Sequence, residues 1–157
     1  MEPDTLAAAL EREHREIDGG IAAFLADQAA QTRRTEPLTR ALGALRRHIF
    51  LEEEFLFPPL RAAGMVAPMF VMEREHGELW ATMDTLDAEL GGGAGGTWVS
   101  DVCGRLLEQL ARHNSKEEPI IYPQADAGLS ASAAAELRAF LDAGRIPEGW
   151  VCARAAA

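Results

Sequence analysis

Apolar residues recur at helical spacing along four long segments of the chain. They fall three, four and seven residues apart in segments of about 4–27, 37–57, 66–90 and 97–122, which is the pattern of amphipathic helices. A shorter helix is predicted at about 130–142, followed by an irregular tail. No segment alternates like a β-strand. The pattern therefore predicts an all-α fold, an up-down-up-down four-helix bundle with an additional short C-terminal helix.

Glycines and prolines mark where these helices are weakened or end. Gly19 and Gly20 lie inside the first helix, where they either weaken its middle or let another element approach closely. Pro58 and Pro59 are predicted to stop the second helix. The run G-G-G-A-G-G at 91–96 is predicted to be a flexible linker between the third and fourth helices.

The size and composition indicate one globular domain. The chain has 157 residues, 48% hydrophobic and 25% charged, which suits a single core. We expect one domain over 1–157, with the bundle at about 4–123 and the C-terminal helix and tail at 130–157. No apolar run approaches the roughly 20 residues of a membrane span, and the acidic N-terminus is unlike a secretory signal. A cytoplasmic location without membrane contact is expected.

Charge and cysteine usage exclude further classes. The net charge is −10, and Lys116 is the single lysine, which argues against a nucleic-acid surface. The two cysteines, Cys103 and Cys152, have no C-x-x-C spacing, so a disulfide scaffold is not expected. We predict that Cys103 is a buried, inert thiol.

All four histidines fall inside two copies of one pattern. The first copy reads E-R-E-H, ending at His14, and then H-I-F-L-E-E, beginning at His48. The second reads E-R-E-H, ending at His76, and then H-N-S-K-E-E, beginning at His113. The copies are offset by 62 residues at the first histidine and by 65 at the second. Histidines kept only for packing would not repeat with their acidic neighbours, so we infer a duplicated helical hairpin around one symmetric site.

Two histidine–glutamate pairs define the chemistry of that site. In each pair the residues are four positions apart, so they share one face of a helix, about 6 Å apart along its axis. The other two helices each add one histidine. The candidate metal ligands are His14, His48, Glu52, His76, His113 and Glu117. Six donors exceed the four that a structural zinc takes. They suit two metal ions, each with two histidines, bridged by two carboxylates, with positions left for an oxo or hydroxo bridge and an outside ligand.

Imidazole and carboxylate donors without thiolate suit iron or manganese and tolerate zinc. A purely structural bundle is the alternative, but it would bury these groups without an ion to compensate them. The other acidic residues of the repeat are interpreted either as acceptors for imidazole N–H groups or as solvent-exposed side chains. They are Glu11, Glu13, Glu53, Glu73, Glu75 and Glu118.

The chain resembles the hemerythrin-like, HHE cation-binding family over roughly 14–123. The resemblance rests on the four histidines, the two H-x-x-x-E pairs, and the dipeptides Phe57-Pro58 and Tyr122-Pro123, whose prolines each lie ten residues beyond a histidine. It implies a four-helix bundle around a non-haem di-iron centre. In that centre the histidines would be terminal ligands and the two glutamates bridges.

The chain departs from the oxygen-carrying hemerythrins at two places. Those proteins have a further histidine one turn away on the third helix, where this chain has Met72 and Trp80 on either side of His76. They also use an aspartate five residues after the last-helix histidine, whereas here Glu117 follows His113 by four. These departures argue against simple reversible oxygen storage. The set is similar to that of bacterial HHE proteins tied to nitric oxide or peroxide stress and to repair of iron centres.

The sequence thus predicts a di-iron protein that binds or reacts with oxygen, nitric oxide or peroxide. An apolar pocket beside the metal is expected to have walls from Phe50, Phe55, Met72 or Trp80. One alternative is a metal-dependent sensor or iron-storage module without turnover, with the fifth helix and tail as output surface. Another is a ferritin-like carboxylate oxidase, suggested by the two E-x-x-H spacings. No protein partner is indicated.

Overall fold

The computed structural model describes residues 4–30, 34–92 and 97–155, and within these ranges no residue is in a β-strand. The helices are α1 (Leu6–Ala29), α2 (Glu36–Leu51), α3 (Phe57–Ala62), α4 (Val66–Gly91), α5 (Thr97–Lys116), α6 (Tyr122–Ala127) and α7 (Ala131–Ala143). Two five-residue π-helical turns, Glu52–Leu56 and Glu117–Ile121, join α2 to α3 and α5 to α6. The predicted all-α fold is confirmed.

The long helices form a bundle whose interior has two apolar layers. Helix α1 packs against α2, α5 and α6, and α4 packs against α5. One apolar cluster contains Ile21, Leu42, Met83 and Leu106. The other contains Leu10, Leu51, Met69 and Leu137. Each long helix carries its buried histidine between residues of these two clusters, so the polar centre described below lies between them.

The prolines predicted to end the second helix do not end it. Pro58 and Pro59 lie in the first turn of α3, and the helical course continues to Ala62. A proline inside an α-helix leaves the carbonyl four residues earlier without a hydrogen-bond donor, and the proline ring clashes with that carbonyl. Here a π-helical turn, whose bonds join residues five apart, precedes the prolines, and the first turn after it tolerates the missing N–H groups. The second hairpin repeats this arrangement at Pro123, which lies in the first turn of α6, whereas Pro119 lies within the π-helical turn itself.

The C-terminal region packs onto the bundle. Helix α7 begins after Ser130, whose side chain caps it by accepting from the backbone N–H of Ala133. The Trp150 ring packs edge-on against Phe50 at 5.0 Å and Trp80 at 5.6 Å. The tail is therefore held against the bundle by aromatic contacts. Of the predicted 91–96 linker, residues 93–96 lie outside the described residues. Nowhere in the three described ranges is a helix both long and apolar enough to cross a membrane.

Cys103 is buried, as predicted, and Cys152 in the tail is buried too; both thiols are free. Burial raises the pKa of Cys103 to about 11. Burial, followed by the charge of Glu53, raises the pKa of Cys152 to about 11 as well. Both thiols thus stay protonated at neutral pH, which makes them poor nucleophiles.

The two adjacent glycines of α1 should respond oppositely to alanine. A Cβ at Gly20 would lie 2.9 Å from Ala41 Cβ and 3.3 Å from the Pro37 carbonyl, whereas a Cβ at Gly19 would meet nothing within 4 Å. We expect Gly19→Ala to raise the free energy of unfolding by about 1 kcal/mol. We expect Gly20→Ala to lower it, because α1 and α2 must separate. Denaturant unfolding of both variants measures this, and equal stabilisation would contradict the close approach.

Candidate metal centre

All six predicted ligands are buried at the centre of the bundle, and each of the four long helical segments contributes. His14 lies on α1, His76 on α4, and His48 and His113 lie near the ends of α2 and α5. Each of the two glutamates is the first residue of a π-helical turn. Their exposed fractions range from 0% to 4%. The structure thus brings all six predicted ligands together.

The six residues form two groups of four donors that share both glutamates. In the first donor group, His14 Nε2 lies 3.1 Å from Glu117 Oε1, and His48 Nε2 lies 3.3 Å from Glu52 Oε2. In the second donor group, His76 Nε2 lies 3.1 Å from Glu52 Oε1, and His113 Nε2 lies 3.2 Å from Glu117 Oε2. Within each group, the donor atoms all lie within 4.8 Å of one another. Each carboxylate therefore presents one oxygen to each pair of histidines.

The outer nitrogen of every imidazole contacts a further glutamate, so the inner nitrogen is directed at the centre. The Nδ1–O distances are 2.7 Å for His14–Glu118, 2.8 Å for His48–Glu13, 2.7 Å for His76–Glu53 and 2.9 Å for His113–Glu75. An Nδ1–H that donates to a carboxylate fixes the ring orientation and leaves the Nε2 lone pair for a metal ion. Four of the six remaining acidic residues of the repeat are therefore imidazole acceptors.

Nearby carboxylates raise the pKa values of His48, His76 and His113. Burial lowers the pKa of His113, but Glu117 and Glu75 raise it by more, to about 10. Burial also lowers the pKa values of His48 and His76, but nearby glutamates raise them by more, so both pKa values lie above the usual value. Protons on these rings thus compensate the buried carboxylates when no metal is bound. A metal ion must displace those protons, so metal binding releases them.

The donor set fits a cation. Glu117 Oε2 is buried and accepts no hydrogen bond from any residue that the structure describes, although His113 Nε2 lies 3.2 Å away. A buried carboxylate oxygen needs a compensating charge or hydrogen bond. A proton on the His113 imidazole or a metal ion shared with that imidazole would supply it.

Sequence reasoning missed Tyr122 as a member of this centre. Its side chain is fully buried, and its hydroxyl lies 2.7 Å from Glu52 Oε2 and 2.9 Å from Glu117 Oε1. Burial and these two carboxylates raise the pKa of the phenol well above its usual range. The position of Tyr122 in the repeat could have identified it from the sequence. It occupies the same place in the second copy as Phe57 does in the first copy, 65 residues earlier.

A small cavity adjoins the donors. Its volume is about 10 Å³, and Leu45, Ile49, Leu79, Leu110 and Asn114 line it together with donor residues. That volume suits about one water-sized molecule. The prediction of which residues form the walls of this pocket is wrong, because none of Phe50, Phe55, Met72 and Trp80 lines the cavity. Phe50, for example, is two positions from His48, which turns it to the opposite side of the helix, where it packs against Phe140.

The imidazole acceptors should tune metal affinity. We expect Glu118→Ala to weaken metal binding roughly 10- to 100-fold, because His14 loses the partner that fixes its ring. Competition with a chromophoric chelator measures the affinity. Glu73→Ala is the matched control, since Glu73 pairs with Arg61 instead of a histidine, and it should leave the affinity unchanged. Equal losses in both variants would contradict the role of Glu118.

Comparison with known proteins agrees with this geometry. The profile of the hemerythrin HHE cation-binding domain matches residues 5–125. That range contains both donor groups and Tyr122, and ends before α7. No curated protein and no solved structure matches the chain significantly. Since the match covers well over half of the residues, the chain belongs to the hemerythrin HHE cation-binding domain family.

Proposed function

We propose that this protein holds two iron ions in its centre, with the six predicted residues as ligands, and binds or reacts there with oxygen, nitric oxide or peroxide. One observation carries the proposal: Glu52 and Glu117 each present one oxygen to each of two histidine pairs. A carboxylate with both oxygens engaged in this way is suited to bridging two ions. One ion would leave one histidine pair without a metal.

The choice of iron rests on the donor types. Nitrogen and oxygen donors without thiolate suit iron and manganese, and zinc can substitute. When bound, iron would supply Lewis acidity and one-electron redox chemistry. The neighbours of His76 one turn away, Met72 and Trp80, are buried and pack in the apolar clusters. They add no imidazole to the centre, so the four donors of a group leave positions open to an outside ligand.

The chain's own contribution is to orient the donors and to limit access. Four apolar side chains and Asn114 line the cavity beside the donors, which has room for about one water-sized molecule. Asn114 is buried, and its Oδ1 has no hydrogen-bond partner among the described residues. Among the lining residues, Asn114 is thus the one that is neither apolar nor a proposed ligand.

A metal-dependent sensor is the second candidate, and one contact favours it. The backbone N–H of Ala153 in the tail donates to Glu53 Oε1 at 2.9 Å, while Glu53 Oε2 contacts His76 Nδ1. A change at His76 would thus reach the tail through a single carboxylate. Iron storage is less well supported, because the cavity of about 10 Å³ has no space for a mineral.

Metal content per chain and the visible spectrum of aerobically purified or iron-reconstituted protein test the main proposal. Close to two irons with charge-transfer bands are expected. One zinc, or no iron after reconstitution, would overturn it. Adding peroxide or nitric oxide to the iron form then separates the two candidates. Catalytic consumption indicates reaction, whereas stoichiometric binding with altered proteolysis of the tail indicates sensing.

A further inference from the structure

We propose that Tyr122 is a seventh protein ligand of the centre, binding through its phenol oxygen to the metal ion of the first donor group alone. The inference rests on the proposed two-iron function and deepens it. It makes the two metal positions chemically different, although the sequence repeat that builds them is symmetric.

The distances around the phenol oxygen carry the proposal. It lies 2.7 Å from His14 Nε2, 2.9 Å from His48 Nε2, 2.7 Å from Glu52 Oε2 and 2.9 Å from Glu117 Oε1. These four atoms are themselves neighbours, with His14 Nε2 to His48 Nε2 at 3.1 Å, His14 Nε2 to Glu117 Oε1 at 3.1 Å and His48 Nε2 to Glu52 Oε2 at 3.3 Å. In an octahedral site with bonds of about 2.1 Å, adjacent donors lie about 3.0 Å apart. The five atoms thus have the spacing of adjacent ligands of one ion, with the phenol oxygen equally close to the other four.

The phenol oxygen has more close polar neighbours than its own hydrogen can serve. The phenol carries one hydrogen, which can be donated to only one of the four surrounding atoms at a time. The imidazoles of His14 and His48 contact Glu118 and Glu13 through Nδ1, so each ring directs its Nε2 at the phenol oxygen. A cation among these oxygen and nitrogen atoms would satisfy all of them. On ligation the phenol O–H bond breaks, its proton leaves to solvent, and the oxygen shares its electron pair with the ion.

Within the described ranges, the second donor group has no equivalent oxygen. The residue at the corresponding position is Phe57, whose ring stacks on the His76 imidazole with centroids 5.4 Å apart and an interplanar angle of 19°. The local backbone is the same in both copies, since the N–H of Phe57 bonds to the Glu52 carbonyl and that of Tyr122 to the Glu117 carbonyl. The difference between the two positions therefore lies in the side chain. The ion near His76 and His113 would have one protein donor fewer.

Resonance Raman and visible spectroscopy of the iron(III)-loaded protein test this assignment. Tyr122 is the only tyrosine in the chain, so tyrosinate vibrations enhanced within a visible charge-transfer band can come from no other residue. We expect these vibrations in the wild type. In Tyr122→Phe we expect them to disappear while iron content stays near two per chain, because four donors remain at each position.

The outcomes separate this inference from the proposed function. Two irons in the wild type without tyrosinate vibrations would overturn the ligation by Tyr122 and leave the di-iron function standing. Failure of the wild type to load iron would overturn both. The wild-type spectrum decides the matter by itself, so the result does not depend on whether the Tyr122→Phe variant folds.

Discussion

Removal of the metal by chelation is expected to lower the melting temperature by roughly 10 °C. A ligand that binds only the native state stabilises it by about 4 kcal/mol when its free concentration is a thousand times its dissociation constant. For a domain of this size, each kcal/mol moves the melting temperature by about 2–4 °C. The physical reason is local: the metal-free centre buries two carboxylates together, and protons on the imidazoles compensate them less well than two divalent or trivalent ions would.

Differential scanning calorimetry before and after chelation, with metal content measured in both samples, checks this expectation. The control is Glu52→Ala, which should bind no metal and should melt at one temperature with or without chelator. An unchanged melting temperature in the wild type after verified metal removal would contradict a metal-stabilised core. It would favour a bundle in which the six side chains compensate one another.

Replacing a shared carboxylate is expected to remove more metal than replacing a terminal histidine. Glu52 presents oxygens to both donor groups, whereas His48 belongs to the first donor group only. We expect Glu52→Ala to bind no metal ion tightly, and His48→Ala to bind at most one. Metal analysis after iron reconstitution and gel filtration measures both stoichiometries.

Glu108→Ala is the matched control for these variants, since Glu108 is exposed on α5 and lies outside both donor groups. It should retain two ions. Two irons per chain in His48→Ala would contradict the assignment of that residue as a ligand. Circular dichroism of each metal-free variant shows whether a loss of metal reflects lost ligands or a lost fold.

Some features of the protein follow from the sequence because they are local. Most helix ends were predicted to within a few residues, because the spacing of apolar positions depends only on the geometry of one helix. The six candidate ligands emerged for a related reason. Histidine and glutamate four residues apart share a helix face whatever surrounds them, and the repetition of the pairs together with His14 and His76 indicated one common centre.

Other features depend on how the helices are rotated against one another. Glu13 is adjacent to His14 in the sequence, yet it contacts His48 on the neighbouring helix, and Glu118 rather than Glu13 contacts His14. Only packing decides these pairings, because each Nδ1 atom points out of its own helix toward a neighbour. The sequence accordingly left the glutamates of the repeat undecided between acceptors and solvent-exposed side chains.

The sequence by itself determined the helices and the six residues of the candidate centre, while the tertiary structure decided the place of Tyr122. In a regular α-helix, residues five apart point about 140° away from each other, which would direct Tyr122 away from Glu117. The π-helical turn Glu117–Ile121 joins residues five apart by a hydrogen bond instead, and the phenol then reaches the carboxylates. Such a turn has no spacing signature of its own, since it forms where the packed bundle holds both ends of the segment.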